Sequence, residues 1–198
     1  MYSLLIDTHD KDVLLVLYKD GKVLDKINKE SNMRHSEITM PSLIDLIERN
    51  GLNTSNIDEI FTVIGPGSFT GVRIGVTIAK TMAYLLKKPI RSISSIDLKY
   101  FSNGLKSGLY AVDEKNGYFV ANYDGNVDTN VDIKYYSTQE YKDNFADKDV
   151  NFNIDYDLES IYKYAIKLPE MNPHLVNPIY VKQIEAQKWL LGLIKSIY

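Results

Sequence analysis

One short run restricts the fold of this 198-residue chain more than any other: Gly65-Pro66-Gly67-Ser68, set between an apolar, β-branched stretch at 59–64 and a helical stretch at 69–86. Glycines on both sides of a proline permit a tight, positive-φ turn, and Ser68 is a good helix N-cap. The unit is therefore strand, turn, helix. The amide groups at such a helix start point outward and favour an anion. The residues leave two uses open, a phosphate or carboxylate cradle and a purely structural βα turn. The lysine and spacing of a Walker A loop are absent.

The remainder of the first half is punctuated clearly. Residues 4–6, 13–18 and 22–27 are short β-prone runs, the last two separated by Lys19-Asp20-Gly21, an Asp-Gly hairpin signal. A three-strand antiparallel meander is expected. Met40, Leu43, Ile44 and Ile47 then follow helical spacing up to an Asn50-Gly51 C-cap. Pro41 fits if that helix starts near Ser36 or bends. Pro89 stops the second helix, and 90–93 supplies another strand. The order β-β-β-α-β-α-β predicts an α/β lobe with a mixed sheet and helices packed on it, an actin/RNase H-like layout.

Beyond residue 97 the pattern is weaker. Residues 108–112 and 117–123 read as paired strands and 131–136 as a third; 157–167 and 183–198 read as helices. In the last, Leu190, Leu193, Ile194 and Ile197 share one face. Pro169, Pro173 and Pro178 mark the connecting loop.

In the second helix Gly71, Gly75, Ala79 and Ala83 recur every four residues. Each interior glycine costs about 1 kcal/mol relative to alanine, so close approach of another backbone is expected along this ridge. Spacing leaves open whether that backbone is the chain's own or a partner's.

Composition excludes several classes. There is no cysteine, hence no disulfide framework, thiolate metal site or cysteine nucleophile. The net charge of −3 lacks the basic stripe of a polyanion binder. No segment reaches the length of a spanning helix and no leader pattern opens the chain, so a cytoplasmic protein without membrane contact is expected. The three histidines, His9, His35 and His174, have no metal-ligand spacing. Asp7 reads as a hydrogen-bonding turn residue and His35 as a cap or contact residue. Tyr100, Tyr110, Tyr118, Tyr123, Tyr135 and Tyr136 could stack bases, but buried or half-buried positions account for them better.

The run Gly65-Pro66-Gly67-Ser68-Phe69-Thr70-Gly71-Val72-Arg73-Ile74-Gly75 resembles the signature of the TsaB (YeaZ) family. Ile6-Asp7-Thr8, Arg34-His35-Ser36-Glu37, Ser94-Ser95-Ile96 and Pro178-Ile179-Tyr180-Val181 add to the similarity. The resemblance implies an actin/RNase H-like (ASKHA) fold, with an N-terminal lobe at 1–97 and a shortened, degenerate lobe at 98–198. Asp113-Glu114-Lys115 stands where the family has an Asp-Ala-Arg type element.

The resemblance also implies a function. Such a chain is a non-catalytic subunit in the synthesis of N6-threonylcarbamoyladenosine at position 37 of ANN-decoding tRNAs. It has no catalytic or metal-binding residue and no cofactor of its own. Its expected partners are a TsaD-like catalytic subunit and a TsaE-like ATPase; tRNA is reached only through the complex, and the chain alone could form a homodimer. The implied signature residues are Gly65, Pro66, Gly67, Ser68, Phe69, Thr70, Gly71, Arg73 and Gly75. Candidate interface residues are His35, Met40, Ile44, Ile47, Gly75, Ile78, Ala79 and Met82, on the helices at 36–49 and 69–86. TsaD-like proteins carry a His-x-x-x-His pair after the strand closing the first lobe; here the stretch is Ser94-Ser95-Ile96-Asp97-Leu98-Lys99. The competing expectation is an autonomous nucleotide-binding or hydrolysing enzyme of the actin-like ATPase or glycoprotease-like superfamily.

Overall fold

The computed structural model describes residues 1–127 and 131–180. The helix expected at 183–198, and Val181 of the proline-tyrosine element, lie outside the described residues. The first sheet has the order β3-β2-β1-β4-β5, built from β1 (Tyr2–Asp7), β2 (Asp12–Lys19), β3 (Lys22–Glu30), β4 (Glu59–Val63) and β5 (Ile90–Ile93). β1, β2 and β3 form the expected antiparallel meander, whereas β1–β4 and β4–β5 are parallel. Asp20 and Gly21 both take positive φ (50° and 81°), the conformation of a primed hairpin turn.

Two helices cover one face of this sheet: α1 (His35–Glu48) after β3, and α2 (Phe69–Leu86) after β4. Strand alternation explains why β1 and β2 are apolar throughout. Leu4, Ile6, Leu15 and Leu17 face Leu43, Leu46, Val76 and Ala79, while Leu5, Leu14, Val16 and Phe61 join a second core on the opposite face. The edge strand β3 alternates half-buried and exposed positions and carries Lys22, Lys26 and Lys29, charges that discourage pairing with another edge. A left-handed Lys87 (φ 54°) ends α2, two residues before Pro89.

α1 starts within one residue of the Ser36 expected from Pro41. It begins at His35, so Pro41 lies in the second turn, on the exposed side where water can satisfy the freed carbonyl. Its buried face is Thr39, Ser42, Leu43, Leu46 and Ile47; Met40 and Ile44, which share the helical spacing and stand among the candidate interface residues, are 40% and 43% exposed.

The second sheet has the order β8-β7-β6-β9, with β6 (Gly108–Glu114) and β7 (Gly117–Tyr123) paired as expected. β8 (Lys134–Ser137) starts later than expected, and a short β9 (Val150–Asn151) adds to the other edge. Three further α-helices follow, α3 (Ser95–Ser102), α4 (Thr138–Phe145) and α5 (Leu158–Ala165), and short 3-10 turns lie at Thr54–Asn56 and Pro173–Leu175. Sequence patterning anticipated only α5. α3 spans the expected 97/98 division, and its Ile96, Leu98, Tyr100 and Phe101 share one core with Phe61 of the first sheet and Tyr110 and Tyr123 of the second. Tyr100 stacks on Tyr123 at 4.0 Å between centroids.

Candidate functional site

The turn at 65–71 is held by two neighbours. On one side, α3 clamps its start: the Ser95 amide donates to Gly65 O (2.9 Å), the Ser95 hydroxyl donates to Pro66 O (2.5 Å), and the Gly65–Pro66 peptide is cis. On the other side lies the β1–β2 turn. The Ser68 amide donates to His9 O (2.6 Å), and the Thr8 hydroxyl donates to Gly71 O (2.7 Å).

This contact explains the glycines. A Cβ at Gly67 would fall on the His9 carbonyl oxygen, one at Gly71 on the Thr8 carbonyl oxygen, and one at Gly75 on the Thr8 hydroxyl. Two segments that resemble the same family in sequence, Ile6-Asp7-Thr8 and the 65–75 run, are therefore the two sides of one packed joint. The small-residue ridge is answered accordingly: Gly71 and Gly75 meet the chain's own β1 and β1–β2 turn, and Ala79 and Ala83 are buried in its core.

Ser68 caps α2 by accepting from the Gly71 amide (3.2 Å), and the Val72 amide donates to Ser68 O. Arg73 is exposed; its guanidinium lies 3.6 Å from the Phe69 ring centroid and donates to the Tyr180 hydroxyl (3.0 Å).

Beside this joint Asp7 Oδ1 accepts from both the amide (3.0 Å) and Nδ1 (2.7 Å) of His9, the turn role expected of Asp7. Burial disfavours a charged imidazole, but the Asp7 carboxylate outweighs it by charge and hydrogen bond. His9 therefore lies above the ordinary histidine value, with Asp10 adding to the shift and Lys99 opposing it.

A cleft of about 730 Å³ opens between the β1–β2 turn, the first turn of α2 and the β6–β7 end of the second sheet, with His9, Phe69, Lys99, Asp113 and Tyr156 in its walls. Lys99 donates to Ala111 O (2.9 Å) and Phe152 O (2.6 Å); burial lowers it from the usual lysine range against the pull of Asp113 and Asp10. Among the described residues no three His, Asp or Glu side chains converge as a metal site.

The eight candidate interface residues divide. Met40 and Ile44 on α1 are exposed, and Ile78 and Met82 on α2 are half-buried, packed partly against the core. His35, Ile47, Gly75 and Ala79 are corrected: all four are buried in the chain's own core and offer no surface to a partner. The His35 ring bridges Asp10 O (2.8 Å) and Ser31 Oγ (3.2 Å), tying the start of α1 to the strand ends.

Sequence reasoning passed over Ile74 and Leu85, which continue the outer stripe of α2; Leu85 is 70% exposed. Their spacing with Ile78, and the uncharged Thr77 and Thr81 between them, was the available signal. Of the tyrosines considered for base stacking, Tyr100, Tyr110 and Tyr123 are buried, while Tyr118, Tyr135 and Tyr136 are half-buried against other aromatic rings. No helix among the described residues is long and apolar enough to cross a membrane.

Comparison with known proteins points one way. Residues 26–146 match the family described as TsaD, tRNA N6-adenosine threonylcarbamoyltransferase. The Bacillus subtilis tRNA threonylcarbamoyladenosine biosynthesis protein TsaB is 35% identical over 97 residues, 49% of this chain and 42% of that protein. The Escherichia coli protein of the same name is 30% identical over 124 residues, 59% of this chain and 52% of its own length. The chain thus spans about half the length of the curated relatives it matches. In fold the likeness reaches further: YeaZ from Pseudomonas aeruginosa superposes with a TM-score of 0.71 at 17% identity, covering 90% of this chain and all of that one. A second Pseudomonas aeruginosa structure, of an uncharacterized protein similar to peptidase YeaZ, gives 0.74 at 18% identity over 91% of this chain and 99% of the other. The family match, which spans more than half of the chain, and the TsaB relatives show that the chain belongs to the TsaB (YeaZ) family; the superpositions, at 17–18% identity, show the shared fold.

Proposed function

We propose that this chain is a non-catalytic, cytoplasmic subunit in the synthesis of N6-threonylcarbamoyladenosine at position 37 of ANN-decoding tRNAs. It works by pairing the outer face of α1 and α2 with a TsaD-like catalytic subunit and helping to recruit a TsaE-like ATPase. The lobe at 1–97 does the docking; the smaller lobe at 98–198 supports it, and tRNA is met only through the complex. One observation carries this reading: two neighbouring helices carry exposed apolar side chains, Met40 and Ile44 on α1 and Leu85 on α2, with Ile74, Ile78 and Met82 half-buried along one flank of α2. Solvent-facing apolar rows of this kind are suited to association, and here the inner sides of both helices are already committed to the core. In the absence of its partner the same face would pair two copies of the chain.

Sedimentation of the purified chain with its cognate TsaD-like subunit tests the pairing. The expected result is a heterodimer that the wild type forms and Ile44→Lys does not, with the variant still folded. Undiminished association of the variant would place the interface elsewhere. Calorimetric titration with ATP and Mg²⁺ addresses the competing enzyme reading, which requires tight binding with turnover.

A further inference from the structure

We infer that the turn at 31–34 is an anchor for the TsaD-like subunit, with the Met33 side chain seated in an apolar socket of that partner at the head of α1. The inference rests on the proposed pairing through α1 and α2 and adds a contact outside both helices. Three observations converge on the turn.

First, its backbone is held in an unfavourable state. Asn32 and Met33 both take positive φ (47° and 64°). Asparagine enters that left-handed region readily, whereas methionine enters it at a cost. Such a conformation persists only where the surroundings over-determine it, and residues of this kind gather at binding sites.

Second, the turn has a rigid mount. Ser31 is 1% exposed and His35 6%. The Ser31 amide donates to Lys11 O (2.9 Å) and the Arg34 amide to Ser31 O (2.9 Å). The His35 ring bridges Ser31 Oγ (3.2 Å) and Asp10 O (2.8 Å). Buried hydrogen bonds thus fix both ends of the turn, and its tip is held away from the body of the protein.

Third, what the mount holds out is apolar. Met33 is 96% exposed, more than any other large apolar residue among those described. A strained turn that keeps a thioether in water does nothing for the stability of the chain alone. Met33 precedes Met40 by seven residues and Ile44 by eleven, the repeat of one helical face, so it prolongs their exposed row past the start of α1. That continuity assigns the socket to the subunit that covers α1. Arg34 and Glu37, 4.0 Å apart and both exposed, supply a polar rim beside it. An unbranched, polarizable side chain also adapts well to a partner's pocket.

Sedimentation equilibrium with the cognate TsaD-like subunit, together with thermal unfolding of the chain alone, tests this. Met33→Asn removes the thioether and suits the left-handed backbone. Association should weaken about tenfold, the loss of one central apolar contact. The isolated variant should melt at the wild-type temperature or up to about 4 °C above it. Met33→Leu keeps volume and apolarity and should associate nearly as well as wild type.

A melting temperature several degrees lower in Met33→Asn would show that the side chain supports the fold, and would overturn the anchor. Equal loss of association in Met33→Leu and Met33→Asn would do the same. Association that Ile44→Lys abolishes and Met33→Asn leaves intact would sink the anchor alone. Absence of wild-type association would sink the pairing of α1 and α2 along with it.

Discussion

The two sides of α2 use helical repetition for opposite ends. The inner side is Gly71, Gly75, Ala79 and Ala83, all buried, and at the two glycines β1 and the β1–β2 turn press so closely that no Cβ fits. Along one flank run Ile74, Ile78, Met82 and Leu85, large and apolar: the first three are half-buried, Ile78 and Met82 pack partly against the core, and Leu85 is 70% exposed. Small side chains mark the face where contact is already made; in the proposed pairing, large ones mark the face offered to a partner. A stripe of glycine and alanine is easily read as a docking ridge for another protein. In this chain it is the reason the helix sits deep enough for its outer side to be presented.

Substitutions can break or sharpen that contrast. Gly75→Leu should have the largest effect, destabilising the isolated chain by about 3 kcal/mol in chemical denaturation, because the added side chain collides with Thr8 and Ile6. Unchanged stability with lost partner binding would return the ridge to the interface. The double change Met40→Lys and Ile44→Lys should do the reverse, weakening association with the TsaD-like subunit by about 2 kcal/mol. The stability of the chain alone should then move by no more than about 0.5 kcal/mol.

Asp7→Asn probes the turn against which the inner side packs. It should cost roughly 1–2 kcal/mol near pH 6. The sign of its pH dependence follows from His9, whose folded pKa lies above its unfolded value. The stabilisation from the charged pair is present in full below the unfolded histidine pKa of about 6.5 and is lost as pH rises through the folded value. The gap between Asp7→Asn and wild type should therefore narrow with rising pH, a trend that urea titrations at several pH values will show or refute. The smallest effect belongs to Ser68→Ala, which removes the α2 cap at a cost of about 1 kcal/mol in thermal or urea unfolding.

Legibility in the sequence followed the same division between punctuation and packing. Every strand and helix from β1 to β5 was readable because turn residues bound it: Asp20-Gly21, Asn50-Gly51, Gly65-Pro66-Gly67 and Pro89. α3 was missed because it is buried nearly all round, at Ser95, Ile96, Asp97, Leu98, Tyr100 and Phe101, so no amphipathic period betrays it. Its signal was the capping box of Ser94 and Asp97, and the same box of Ser137 and Glu140 marks the missed α4.

The candidate site was half legible. The 65–71 turn and its cap are where the glycines and Ser68 put them. Which face of α1 and α2 points outward depended on tertiary packing, since Met40 and Ile44 share helical spacing with Leu43 and Ile47 and differ from them only in what lies opposite. His9 and Lys99 had no sequence signal as neighbours, because the cleft brings them together across 90 residues of chain.

The most direct test of the central claim is reconstitution. Cognate TsaD-like and TsaE-like proteins are combined with tRNA, ATP and threonylcarbamoyl-adenylate, with or without this chain, and modified adenosine is scored by mass spectrometry. The account predicts product only when the chain is present, and its loss with the Met40→Lys and Ile44→Lys variant. Equal yield without the chain would contradict it.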